Sequence, residues 1–323
     1  VSANGTAAST DADVNTYGGN ISITPTSTGA PTLTGSNGFD QENYVFSYNT
    51  GDLVINKRAI TLTASQQEKI YGNVLNLDDT AFTTLDRDGG TTLPNDEVVT
   101  NVTIGSATGV DASTSADVAT YTDEITIGSA VTGTAGTGDG FLESNYAITF
   151  TSGDLLVKPR PITVTPTQQE KIYGNTLTLD QTAFTVTDLD NDALLPNGET
   201  IDAVNVISRG GHDASTTSSA VAYAGDLEAT SVAASSNGFD LNNYTIDFSN
   251  LGDFIINRRA VTLTASQQEK DYGDNVSLDN TAFTVLDLDN DALLPNGETV
   301  DTVTLVSANG TAASTDADVN TYG

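Results

Sequence analysis

The chain has no cysteine, so no disulfide can staple it, and the usual thiol nucleophiles and their bases are excluded. Methionine is also absent, even at position 1, which leads us to expect an internal segment of a longer polypeptide. Histidine occurs once, as His212 in "RGGHDAST", and the aligned positions elsewhere in the chain are not histidine. No metal site or catalytic triad recurring along the chain can therefore use it. Cations are scarce: 11 Lys and Arg stand against 43 Asp and Glu, a formal charge of −32, which argues against nucleic acid or anionic membrane as a partner. No signal peptide and no apolar run of about 18 residues occurs, so no membrane insertion is expected.

What is present is repetition. "VSANGTAASTDADVNTYG" fills 1–18 and returns unchanged at 306–323, so the chain reads as a window on a periodic array. Three similar segments, "RAITLTASQQEKIYGN" from Arg58, "RPITVTPTQQEKIYGN" from Arg160 and "RAVTLTASQQEKDYGD" from Arg259, set the internal register. We expect 1–57 to be the back part of an incomplete repeat, 58–158 and 159–257 to be complete repeats, and 258–323 the front part of another. Each complete repeat is long enough for its own core.

The repeats read as strands. Ile60 and Leu62 alternate with Thr61 and Thr63, as Ile162/Val164 and Val261/Leu263 do in the other copies, the period of a strand with one buried face. "TAFTV", "ETIDAVNVIS" and "ETVDTVTLVS" give further strands, and "LPNGET" holds an Asn-Gly turn. "NYVFSYNTGDLVIN", "NYAITFTSGDLLVK" and "NYTIDFSNLGDFIIN" read as closing hairpins. These patterns predict an all-β fold, each repeat an antiparallel, immunoglobulin-like sandwich of about seven strands, with a β-grasp-like sheet as the alternative. Only about three polar residues separate repeats, too few for a flexible coil, so the repeats are expected to stack end to end in a rod. The cations Lys57, Arg58, Lys158, Arg160, Arg258 and Arg259 sit at these junctions and are expected to meet carboxylates of the neighbouring repeat.

The sequences "QQEKIYGN", "DVATYTDEITIG" and "NYAITFTSGDLLVKPRPITVT" together resemble the bacterial MBG domain of the Tyr-Gly-x type. The motif residues are Lys69-Ile70-Tyr71-Gly72, Lys171-Ile172-Tyr173-Gly174 and Lys270-Asp271-Tyr272-Gly273, with Asn145-Tyr146 and Asn243-Tyr244 in the closing segments. These units are longer than the usual member, and one residue separates Val221 from Tyr223 where the family has two. The resemblance implies tandem arrays in large adhesins or matrix proteins, located extracellularly or on the bacterial surface, and does not imply catalysis.

"DLDNDALLPNGE" occurs at 188–199 and again at 287–298. Asp188, Asp190, Asp192 and Glu199, and likewise Asp287, Asp289, Asp291 and Glu298, have the spacing of a calcium-binding loop, so calcium is the one cofactor expected. Ala193 and Ala292 stand where such loops need glycine, and the other reading is a solvated acidic hairpin. Lys69, Lys171 and Lys270 could form isopeptide cross-links, but read more simply as part of an exposed polar stretch. Tyr17, Tyr121 and Tyr223 read as core or corner residues whose hydroxyls cap a turn.

The function expected is a non-catalytic, stiff stalk or fibre segment whose partners are neighbouring repeats of the same protein. Two alternatives stand beside it. The repeats could bind a glycan or host surface directly, with Phe39 and Tyr48 as suggestive aromatics, or copies could join end to end by completing each other's partial repeats.

Overall fold

The computed structural model describes residues 9–23, 33–134, 141–308 and 310–318. The first eight and last five positions of the duplicated eighteen-residue stretch lie outside them. The chain divides into two compact units, 1–160 and 161–323, and every described strand belongs to a repeating set.

Unit 1 opens with β1 (Asn15–Ile21) and β2 (Gly51–Ile55), an antiparallel pair. There follow β3 (Arg58–Ala64), β4 (Gln67–Ile70), β5 (Phe82–Asp86), β6 (Val98–Ser106), β7 (Thr120–Thr134), β8 (Tyr146–Thr151) and β9 (Gly153–Lys158). They form a three-stranded sheet, β5-β3-β8, and a four-stranded sheet, β4-β9-β7-β6. Both sheets feed one core: Ile60 and Leu62 from the first meet Val99, Val102 and Val131 from the second.

Unit 2 repeats the order with β10 (Arg160–Pro166), β11 (Gln169–Ile172), β12 (Phe184–Asp188), β13 (Thr200–Ser208), β14 (Ala222–Ser236), β15 (Tyr244–Asp247) and β16 (Leu251–Asn257). Its sheets are β12-β10-β15 and β11-β16-β14-β13, and Val164, Val204, Val206, Leu227 and Phe254 share the core. β17 (Val261–Ala265) and β18 (Phe283–Asp287) then repeat the β3–β5 hairpin in the same register, Val261 opposite Asp287 as Ile60 is opposite Asp86.

The all-β expectation holds, but the sheets are mixed, since β3–β8, β4–β9 and β11–β16 are parallel pairs. The predicted closing hairpins are not hairpins. β8 and β9 lie in different sheets, as do β15 and β16, and the chain changes sheets at Gly153 and Gly252. A Cβ on either glycine would run into a backbone carbonyl, that of Ala64 or Pro166, which is why the crossing is made there. The acidic loop is likewise no hairpin, because β12 and β13 belong to different sheets and Pro196–Gly198 forms a short 3-10 turn between them. The predicted strand in "ETVDTVTLVS" carries no ladder. Its counterpart β13 pairs with β14 from Ala222, and the residue aligned with Ala222 is Thr321, outside the described residues.

Candidate functional site: the joints within each unit

The first strand of each repeat sets up the joint. Arg58 heads β3, whose partner β5 ends at Asp86, so the guanidinium lies beside Asp86 and Asp88 and pairs with both. Arg259 heads the third copy and pairs with Asp287, at 2.8 Å through Nε, and with Asp289. Hydrogen bonding to Arg58 holds the Asp86 pKa below the usual carboxylate range despite burial, and Asp86 in turn raises that of Arg58. Lys158 pairs with Glu68, also of its own repeat. These cations were expected to meet carboxylates of the neighbouring repeat. The hairpin register instead places their own carboxylates opposite them, and Arg160 and Arg259 reach the preceding repeat through a neutral amide, at 2.9 Å from Asn73 Oδ1 and 3.0 Å from Asn175 Oδ1.

The turn after the acidic loop supplies the second contact. Asn95 and Asn296 sit in the left-handed region, at φ 57° and 61°, a conformation asparagine tolerates. Each then donates its amide to a threonine carbonyl of the preceding repeat, Asn95 to Thr10 at 3.0 Å and Asn296 to Thr216 at 2.9 Å. Beside Asn296, Pro295 packs against Gly174, where no Cβ would fit, and Tyr173 donates its hydroxyl to Glu298. In unit 1 the Asn145 side chain accepts from the Val14 N–H and donates to Asp13, both at 3.0 Å.

The loops that dock here are held by buried polar groups the sequence reading missed. "QQEK" was read as an exposed stretch, yet Gln67, Lys69, Gln169 and Lys171 are all buried, facing inward alternately along β4 and β11. Lys69 donates to the Val110, Asp111 and Ser113 carbonyls, and Lys171 to those of His212, Asp213 and Ser215. An ammonium can be buried there because several carbonyls replace its water, and burial still lowers both lysine pKa values. Gln67 and Gln169 each bond both ways to a backbone amide, at Asp78 and Asp180.

On the other side of the same loop stands a buried acid, Glu124 in unit 1 and Asp226 in unit 2. Burial would raise their pKa values, but bonds from Ser106 and Thr108, or from Ser208, Gly210 and His212, outweigh it and hold both below the usual range. A depressed carboxylate stabilises the fold above its unfolded pKa and loses that contribution as pH falls through the folded value. Acidification well below pH 4 is therefore expected to melt wild type more steeply than the Asp226→Asn variant, measured by circular dichroism against pH. The signal was present, since Tyr17, Tyr121 and Tyr223 are each followed three positions later by Asn, Glu or Asp.

Those tyrosines are corner residues as expected. Each hydroxyl donates to the carbonyl four positions upstream, Asp13, Asp117 or Ser219, at 2.9–3.0 Å. Tyr223→Phe is expected to cost about 1 kcal/mol in urea unfolding. His212 stacks on Tyr223 with centroids 3.7 Å apart, its Nδ1 3.0 Å from Asp226.

The carboxylates predicted to hold calcium are engaged separately. Asp188 Oδ1 accepts the N–H groups of Asp190 and Asp192, Asp192 accepts from Leu194, and Glu199 takes the Tyr244 hydroxyl at 2.6 Å. Asp287 repeats the loop bonds with Asp289 and Asp291 and carries Arg259 as well, while Glu298 holds Tyr173. Among the described residues no group of three or more His, Cys, Asp or Glu is placed to hold a metal ion, and these donors as arranged do not fit calcium. Excess calcium or chelator is expected to leave the melting temperature unchanged; a rise of several degrees with calcium would show that the loop rearranges around the ion.

Comparisons of the chain with family models, with curated proteins and with solved structures found no match. Among the described residues no helix is long and apolar enough to cross a membrane.

Proposed function

We propose that this chain is a non-catalytic structural segment, a series of immunoglobulin-like β-sandwich repeats that serves as a stiff stalk or fibre of a bacterial surface adhesin or extracellular matrix protein. The observation that carries the reading is the joint built from the same parts in both units, the Asn95–Thr10 and Asn296–Thr216 bonds. Directional bonds of this kind fix an angle, whereas a stalk of loosely tethered repeats would need none. The paired Arg and Asp groups at each strand start, Arg58 with Asp86 and Arg259 with Asp287, brace the residues that form the joint. The high negative charge keeps identical copies from adhering through their sides. Buried polar side chains here cap loops and do not converge on a common point where a substrate could react.

The test is a distance distribution. With no native cysteine, spin labels can be placed at Ser231→Cys and Thr284→Cys, both on exposed strand positions across the unit 2 joint. A narrow distribution is expected, broadening when Asn296→Ala and Tyr173→Phe are added. A distribution already broad without those changes would sink the stiff-stalk reading.

A further inference from the structure

β17 and β18 present a face that is covered in every complete repeat. Ile60 and Leu62 of β3, and Ile162 and Val164 of β10, are at most 2 % exposed, whereas the equivalent Val261 and Leu263 are 41 % and 46 % exposed. In the first complete repeat the covering strand is β8, which runs parallel to β3 with Arg58 opposite Tyr146 and Leu62 opposite Phe150. Tyr146 brings two further contacts: its ring stacks on Phe141 at 5.2 Å and its hydroxyl donates to Glu97 at 2.8 Å. Tyr244, Phe239 and Glu199 repeat the arrangement.

The same chain carries the missing strand, already extended and without a ladder. Residues 44–50 align with β8 and β15, and Tyr44 stacks on Phe39 at 5.5 Å as its counterparts stack on theirs. Yet Tyr44 is 59 % exposed where Tyr146 and Tyr244 are 5 % and 6 %, and Val45 is fully exposed. At the other end, Glu298, the counterpart of Glu97 and Glu199, has one oxygen taken by Tyr173 and is exposed. It lines a cleft of about 410 Å³ with Arg259, Pro295 and Tyr173.

We infer that one copy of this chain docks its 39–57 segment onto β17 and β18 of a second copy, so that copies join head to tail by completing a repeat. This goes beyond the stalk reading, which needs no association between chains. The register is fixed by homology within the chain: Tyr44 lies opposite Arg259, Phe46 opposite Val261 and Tyr48 opposite Leu263, with the Tyr44 hydroxyl on Glu298. β2 then runs parallel to 268–271, Leu53 opposite Gln268, as β9 does beside β4 with Leu155 opposite Gln67. A parallel strand added to a free edge brings ladder hydrogen bonds and side chains together, and the heterologous contact leaves a free end on each partner for the next copy. The identical stretches 1–18 and 306–323 compete for one place at each junction, so the acceptor's copy is displaced on docking.

Two variants of the full 323-residue chain test this. Tyr44→Ala with Phe46→Asp disables the donor, and Val261→Asp with Leu263→Asp disables the acceptor; Tyr44, Val261 and Leu263 are exposed, so neither variant removes a packed core. In sedimentation velocity, wild type is expected to form chain-like oligomers that lengthen with concentration and with added salt, which screens the repulsion between acidic copies. Each variant alone is expected to stay monomeric, and the two mixed to give dimers that grow no further. Wild type that stays monomeric at every concentration overturns the inference, as does a mixture that fails to pair or variants that still assemble. Glycan binding by the Phe39–Tyr48 aromatic row without self-association would also overturn it and assign the row to a sugar surface.

Discussion

Replacing Lys171 with Met is expected to lower stability by about 3 kcal/mol. The thioether keeps the length and the apolar stem but leaves the His212, Asp213 and Ser215 carbonyls without their donor. A buried acceptor left unbonded costs roughly 1–3 kcal/mol, offset in part because an ammonium no longer has to be stripped of water. Lys171→Arg should recover little, since a planar guanidinium cannot turn three donors onto three carbonyls of one loop. The local readout is amide exchange, expected to accelerate across 209–216 in the variant before the rest of the repeat responds. The pH dependence has a definite sign. Burial lowers the Lys171 pKa below its ordinary 10.5, so above the folded value the unfolded chain binds the proton more tightly than the native one. Stability contributed at this position therefore rises with pH between the folded value and 10.5, and the gap between wild type and Lys171→Met should widen over that range.

The strands that could be read directly were those with an apolar face. Ile60/Leu62, Ile162/Val164 and the "TAFTV" segments announce themselves by period two, and β3, β10, β5 and β12 lie where the alternation puts them. What stayed hidden was a strand whose inward side chains are polar. β4 and β11 bury Gln and Lys, which by composition alone resemble a solvated face; only their identity in all three copies, with Gln and Lys two positions apart, could have shown that they point inward. The sheet changes at Gly153 and Gly252 were hidden for a different reason. A glycine between two strands is equally the mark of a hairpin, and which of the two it makes depends on Ala64 and Pro166, residues about 90 positions away that no local pattern encodes. The acidic loop was read through its carboxylate spacing. Its chemistry was decided by Arg259 and Tyr244, whose positions follow from strand register and not from the loop.

Gly252→Ala is expected to destabilise by about 3 kcal/mol or more, from a single added methyl. The glycine opens β16 directly over the end of β10, and the new Cβ would lie well inside contact distance of the Pro166 carbonyl oxygen, with the carbonyl carbon and Cβ of Pro166 close behind. A flexible side chain could swing aside, but a backbone carbonyl can move only if β10 moves, and β10 is the central strand of its sheet. The cost is therefore one of overpacking against a rigid wall, at the upper end of the usual range of about 1–3 kcal/mol or beyond it. Gly238→Ala provides the contrast. Its φ of +87° strains any other residue, but nothing lies within 4 Å of the added carbon, so about 1 kcal/mol is expected from backbone strain alone. Urea unfolding of the two variants separates the mechanisms, and equal losses would show that the crossing at Gly252 has room to yield. Gly153, set against the Ala64 carbonyl in the other unit, should behave as Gly252 does, because the same departure from one sheet to the other is made there.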